Sequence, residues 1–388
     1  MPLTLLGRPA ALLLPLMFAM LTTACAPLRP ATPPVAPEPP AEAPRLRAAS
    51  WGDLPGWAQD QHAEALATFL SGCKAVKADA PLRRPCVQGA LVAVGDDGAA
   101  RAFFEAHFEP LQLLAADGGE QGLITGYYEP EIAASRQRGG VFQTPIHGLP
   151  DDLLVVDLAA LDPDLKGKRL RGRLDGRRVV PYPSRGEIVS GTPLPAPVLA
   201  WAADPVDLFF MQIQGSGRLR LDDGAVLRLG YADQNGHPYR PVGRTLVDRG
   251  ELSRETVSMQ SIRAWLESNP GQRDAVLDTN PSYVFFRELP ASDEGPIGSL
   301  GVPLRPARSI AIDPKAVQLG SPVWLDTRDP VDGSTLQRLM SAQDTGGAIR
   351  GNVRADVFWG RGYAAAERAG RMREPGRMWL LRPIDLPR

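Results

Sequence analysis

The C-terminal part of the chain breaks into five short apolar runs with turns between them. They are SIAID (309–313), PVWLDT (322–327), LQRLMSAQ (336–343), RADVFW (354–359) and RMWLLRP (377–383). Each is shorter than a typical core helix and bounded by turns, so each reads as a strand. Short strands spaced this closely point to a small barrel. A short helix is expected to interrupt them around Ala364 to Ala369. Upstream, DLFFMQIQGSGRLRLDDGAVLRLGYA (207–232) reads as three further short strands, the last turn being an Asp-Gly hairpin signal. Glycine and proline, 39 of each, fit a turn-rich β architecture better than a helix bundle.

Helices are few. Residues 60–73 place Leu66, Phe69, Leu70 and Cys73 on one face, and residues 96–110 repeat the pattern with Phe103, Phe104, His107 and Phe108. This second helix is expected to be capped near Asp97 and ended by Pro110, with His107 packed in the core. A third is expected over about 254–267, starting after Ser253 and stopped by Asn269-Pro270. A chain of 388 residues exceeds one ordinary core, so two domains are expected. There are 43 basic and 44 acidic residues, which leaves no electrostatic footprint for nucleic acid.

The N-terminus has Arg8, an apolar run from Ala10 to Leu21 and small residues before Cys25. The run is too short to span a bilayer and fits a secretory signal. Cysteine after Thr22-Thr23-Ala24 resembles a bacterial lipoprotein cleavage site, with Leu21 one place early. A lipidated Cys25 would anchor the protein without a transmembrane helix. Ala26, by resemblance to lipoprotein sorting, directs it to the outer membrane. Residues 26–44 carry eight prolines and read as an extended tether. In an oxidising periplasm Cys73 and Cys86 either pair, closing a loop worth roughly 3 kcal/mol, or stay as two buried thiols; the compartment favours the pair.

The chemistry narrows by elimination. His62, His107, His147 and His237 are scattered without ligand spacing, so no metal is expected. The segment GSGRLRL lacks the lysine and helix of a phosphate loop. QGSGR around Ser216 nearly matches a serine-hydrolase elbow, but the second glycine comes one residue early and the setting is not strand-turn-helix. Carboxylates remain. Asp344 and Asp356 flank a glycine-rich turn, and Val357, Phe358 and Trp359 beside Asp356 are placed to exclude water and raise its pKa. Trp359 is a candidate for stacking on a sugar. Asp344 can equally be a turn cap. Glu129 reads as a solvated or capping carboxylate, Tyr239 and Arg240 as turn residues, and Trp324 and Trp379 as barrel filling.

Six segments then occur in order: TGYYEP (125–130), FFMQIQGSGRLRL with the following DG (209–224), GYADQNGHPYRPVGRTLVDRGEL (230–252), NPSYVFFRE (280–288), LGVPLRPARSIAIDP (300–314) and AQDTGGAIRGNVRADVFWG (342–360). Together they resemble the membrane-bound lytic murein transglycosylase A family, over about residues 100–382. The resemblance implies a mainly β fold with a few helices: a discontinuous double-psi β-barrel, an inserted second β-barrel, and a glycan groove between them. With the signal at 1–24 and the lipidated cysteine and tether at 25–46, the resemblance implies the first barrel in 47–130 and 290–388 and the insert in 131–289. The family's three aspartates fall at Asp313, Asp344 and Asp356, and its single catalytic acid matches Asp356. Asp344, Asp313, Thr125, Gln214 and Ser216 become candidate substrate contacts. Some relatives have one residue fewer between the last two aspartates, which weakens a role for Arg354.

The implied reaction is non-hydrolytic cleavage of peptidoglycan between N-acetylmuramic acid and N-acetylglucosamine, with no cofactor. The expected partners are peptidoglycan strands, the membrane through the lipid anchor, and a cell-wall synthesis complex. Two other readings stand beside it: a non-catalytic peptidoglycan-binding lipoprotein, and a muramidase that uses both carboxylates with water.

Overall fold

A computed structural model describes residues 45–384, apart from 78–79, 159, 162–164 and 166–169. The signal, Cys25 and most of the tether lie outside the described residues. Those described belong to one compact unit, Ala43–Arg388.

Three strands open it: β1 (Arg45–Ala48), β2 (Phe108–Leu114) and β3 (Gly122–Glu129). Nine follow: β4 (Glu131–Ser135), β5 (Thr144–His147), β6 (Leu154–Val156), β7 (Leu170–Asp175), β8 (Arg178–Val180), β9 (Val198–Ala202), β10 (Ser216–Leu221), β11 (Val226–Gln234) and β12 (Val284–Leu289). The last five are β13 (Ser309–Ile312), β14 (Pro322–Arg328), β15 (Thr335–Thr345), β16 (Arg354–Arg361) and β17 (Arg373–Pro383). The molecule is thus mostly β, with the C-terminal runs all strands as their pattern predicts.

The order β17-β14-β15-β13-β16-β3, with β3 pairing back onto β17, closes a six-stranded barrel. In it β13–β15 and β16–β3 are parallel, while β2 and β1 extend the sheet beyond β17. Alternation sends Ile124, Ile310, Ile312, Val323, Leu325, Ala355, Val357 and Met378 to the barrel interior. The insert forms a second six-stranded sheet, β12-β11-β10-β4-β9-β5, whose two ends meet through a Gly148–Phe286 bridge. The expected hairpin joins β10 and β11, with Gly224 at φ 86° in its turn.

Helices α1 (His62–Gly72), α2 (Arg83–Gly89) and α3 (Asp97–His107) cover the outside of the first barrel. Their Phe69, Phe103 and Phe104 pack with Trp324 and Trp379. Those tryptophans are buried, as expected, but on the outer wall under the helices: Trp324 alternates with the interior-facing Val323 and Leu325. The cap of α3 is Asp96, which accepts from Ala99 N at 2.8 Å. His107 is half-buried against the Phe103 ring. Cys73 and Cys86 form a disulfide joining the end of α1 to α2.

The remaining helices are α4 (Arg185–Val189), α5 (Pro205–Gln214), α6 (Val242–Asp248), α7 (Met259–Ser268), α8 (Pro270–Leu277) and α9 (Tyr363–Arg371). Two expectations need correction. The run 207–214 is the helix α5, not a strand. Asp204 caps it and Pro205 occupies its first turn, a helix start by composition. It reads as a strand because it is apolar all round. Leu208 and Met211 pack into the insert barrel, whereas Val206, Phe209 and Phe210 pack against α6–α8. The third helix begins at Met259, not after Ser253: Ser258 accepts from Ser261 N and supplies the nearer cap.

Candidate active site

Asp344 and Asp356 lie on one row of the first barrel. Ala311 of the short strand β13 pairs with Asp344 on one side and with Asp356 on the other. The row continues to Thr125 of β3 and then to Arg373 of β17. Residues in register share a face, so this row points away from the interior packed by Ile310, Ile312, Ala355 and Val357. A bulge makes the alignment work. Ile310 pairs with Ala342, yet Ala311 pairs with Asp344, so Gln343 is the extra residue that turns Asp344 outward.

Asp356 accepts a 2.7 Å hydrogen bond from Thr125 Oγ1. Burial pushes its carboxyl up to about 6; the Thr125 hydroxyl and Arg354 hold it down in part, and Asp344 adds to the rise. The surrounding apolar patch is Tyr127, Leu304, Ala311, Ile349 and Phe358. Of the three residues expected to exclude water, Phe358 belongs to this patch and Val357 to the barrel interior. Trp359 packs against the interior cluster, its indole N–H 3.3 Å from Met372 Sδ. It is therefore on the far side of the strand from the acid, which does not suit sugar stacking. Arg354 shares the face of Asp356 by alternation and donates to the carbonyls of Leu123 and Ala355.

Asp344 is engaged by four donors. Its Oδ1 accepts from Ser299 N and Ser299 Oγ at 2.8 Å and from Thr345 N at 2.9 Å, and its Oδ2 accepts from Tyr127 Oη at 2.9 Å. Burial still raises its carboxyl, against the pull of those bonds. Asp344 thus caps the Thr345 turn and also bonds Tyr127 on the Thr125 face. Asp313 is nearly buried just past β13. It accepts from Lys315 N at 3.1 Å and from Gly351 N at 2.8 Å, which fixes the loop leading from Asp344 to Asp356.

A cleft of about 770 Å³ opens beside Thr125, between the β3–α9–β17 corner and helices α6 and α7 of the insert. Gln214, Tyr239, Arg254, Met259 and Arg373 also line it. Gln214 Oε1 accepts from Tyr128 N at 3.0 Å, which ties the end of α5 to β3. Gly215 follows in the left-handed region, φ 79°, and turns the chain into β10. Ser216 is nearly buried opposite Gly230 and is not among the lining residues. Glu129 differs from its expected solvated role: it is buried and pairs with Arg218 Nε at 2.9 Å, at the join of β3 and β10. Among the described residues, no group of three or more His, Cys, Asp or Glu is placed to hold a metal ion.

Sequence reasoning named Asp356, Asp344, Thr125 and Gln214, which the fold brings to this region. It gave no role to Tyr127, Ser299 or Arg373. Tyr127 is two residues from Thr125 on a strand, a spacing that puts both on one face. Ser299 and Arg373 gave no local signal.

Residues 123–287 match the family model described as MltA specific insert domain, and 308–382 match the 3D domain. The membrane-bound lytic murein transglycosylase A of Escherichia coli K12 is 36% identical over 303 residues, 76% of this chain and 74% of the relative. The crystal structure of MltA from Neisseria gonorrhoeae superimposes with a TM-score of 0.76 at 37% identity, covering 90% of this chain and 99% of that one. The structure of E. coli MltA with bound chitohexaose gives 0.64 at 29% identity, covering 88% and 95%.

Proposed function

The chain belongs to the membrane-bound lytic murein transglycosylase A family, and we propose that it cleaves peptidoglycan without water, with Asp356 as both acid and base. The observation that carries the reading is the carboxyl of Asp356. It is raised to about 6 by burial and held at 2.7 Å by Thr125, which lines the cleft, while Asp356 itself is not among the lining residues.

A group with that pKa still holds its proton near neutrality in a useful fraction of molecules. Asp356 gives the proton to the oxygen between N-acetylmuramic acid and N-acetylglucosamine, and the bond to muramyl C1 breaks. The resulting carboxylate takes the proton from the muramyl C6 hydroxyl, whose oxygen bonds to C1 and closes a 1,6-anhydro ring. Proton and atoms balance, and no water enters. Because the nucleophile belongs to the substrate, the site has to position it more than activate it. The sugar's attack replaces the second carboxylate that a hydrolase requires.

Asp344 orients the site through Tyr127 and the Ser299 segment. With four donors on its oxygens, it is poorly free to activate a water molecule. Gln214 and Thr125 contact the strand from the cleft, Asp313 supports the loop between the aspartates, and Ser216 supports the turn behind Gln214. The insert (131–289) and the discontinuous barrel (47–130 and 290–388) supply the two walls. A lipid on Cys25 and the Pro-rich tether hold the enzyme at the periplasmic face of the outer membrane, within reach of the wall and of cell-wall synthesis proteins. No helix among the described residues is long and apolar enough to cross a membrane.

Turnover of peptidoglycan by Asp356→Ala and Asp344→Asn tests the division of labour. Loss of all product with the first and retained product with the second support a single acid. Equal abolition by both, in folded protein, sinks it in favour of a carboxylate pair.

A further inference from the structure

The cleft lined by Thr125, the hydrogen-bond partner of Asp356, is basic although the whole chain has a formal charge of -1. Four arginines line it, Arg244, Arg254, Arg371 and Arg373, against one acid, Asp248. Two of them are occupied within the protein: Arg244 with Asp248 at 3.6 Å and Arg371 with Glu367 at 2.8 Å. Among the described residues, Arg254 and Arg373 have no hydrogen-bond or ion-pair partner, and both are exposed to the cleft.

Arg373 is the better placed. It is the register partner of Thr125, and Thr125 is the register partner of Asp356, so all three share one face. Neighbouring strands lie about 4.8 Å apart, which puts the Arg373 backbone roughly 10 Å from that of Asp356. The distance is comparable to one sugar unit and its substituent. A neutral polysaccharide gives an unpaired guanidinium little to bind, whereas a carboxylate matches its planar donors in a bidentate contact.

Resting on the glycan-cleaving reading above, we propose that Arg373, aided by Arg254, binds a carboxylate on the 3-O side chain of the muramyl residue and so sets the register of the strand. The two sugars of an alternating glycan are nearly alike in outline, and only one of its two bond types is to be cut. The acidic side chain is what distinguishes them. A cation at a fixed place in the row therefore decides which glycosidic oxygen meets Asp356. The carboxylate comes either from the lactyl group of a bare strand or from the stem peptide.

The test uses the full chain carrying Asp356→Ala, so that no ligand is consumed. Calorimetry compares it with the Asp356→Ala/Arg373→Gln protein on three ligands: neutral chitohexaose, amidase-treated strands with free lactyl carboxylates, and peptide-bearing strands. Loss of the contact is expected to raise Kd about tenfold for a carboxylate-bearing ligand, while chitohexaose changes less than about twofold. Arg373→Lys should recover part of the affinity. Weakening confined to peptide-bearing strands assigns the stem peptide, weakening confined to bare strands assigns the lactyl group, and weakening of both means that the guanidinium takes either carboxylate. Equal weakening of chitohexaose, no change with any ligand, or no binding of either carboxylate-bearing strand by either protein overturns the proposal. Failure of the underlying reading shows elsewhere, as the absence of anhydro products from the unsubstituted enzyme.

Discussion

Thr125 and Asp356 are register partners on adjacent parallel strands, and the threonine hydroxyl donates to the aspartate at 2.7 Å. These residues are 231 positions apart in sequence and come from the two ends of the discontinuous barrel. The bond favours the charged carboxylate and opposes the rise that burial imposes.

Thr125→Val removes that donor and keeps the shape. Asp356 should then titrate higher, with the alkaline limb of kcat/KM moved upward in pH. The carboxylate stage loses a hydrogen bond, so kcat is expected to fall about ten- to hundredfold. A pH–rate profile of the variant reads both, and an unmoved limb would separate the hydroxyl from the titration.

The raised carboxyl also fixes the sign of two pH effects. Asp356 titrates near 6 in the folded chain, against an ordinary 3.8. Proton donation requires the protonated form, so kcat/KM should fall as pH rises through about 6. The folded state holds this proton more tightly than the unfolded chain. Stability from this group is thus complete below the ordinary value and is lost as pH rises through the folded one. Asp356→Asn has no charge to bury. It should be inactive yet more stable than the parent by up to about 3 kcal/mol near pH 8, with the gain vanishing towards pH 4. Denaturant midpoints at the two pH values measure it.

Much of the site was legible in the sequence, though unequally. Asp356 stands out because a lone carboxylate precedes a bulky apolar run. Thr125 and Gln214 came from motif resemblance and not from local chemistry. Which face each residue occupies was not readable, because a strand's two faces differ only by alternation and the bulge at Gln343 shifts that count by one. Trp359 is a different case, since it stands three residues past Asp356 on one strand and alternation alone puts it on the opposite face. Arg373 gives no local signal because its meaning lies in the β3–β17 pairing. The helix α5 was hidden by burial on all sides: no polar face marks its period.

Glu129 and Arg218 form a buried ion pair, and Arg218 also donates to the carbonyls of Ser292 and Glu294. Glu129→Gln leaves a buried guanidinium without its counter-charge at the join of β3, β10 and the 292–294 segment. The expected cost is about 3 kcal/mol of stability. A chemical denaturation curve checks it, and a change within a few tenths would mean that solvent reaches the pair.

The Cys73–Cys86 disulfide closes a loop with a sequence separation of 13. Replacing both cysteines by serine should lower stability by about 3 kcal/mol in the chain-entropy account. The end of α1 accepts from Gln343 beside Asp344, but the bridge supplies no residue to the Thr125–Asp356 row, so kcat at low temperature should be retained. A thermal melt paired with an activity assay separates the two effects.

The central claim is that Asp356 completes the reaction with no water. Digestion of purified peptidoglycan in ¹⁸O-labelled water, followed by mass spectrometry of the muropeptides, tests it most directly. The expected products are one water lighter than reducing-end muropeptides, carry no label, and are absent with Asp356→Ala. Labelled products of full hydrolytic mass would contradict the account and make Asp356 one partner in an ordinary hydrolysis.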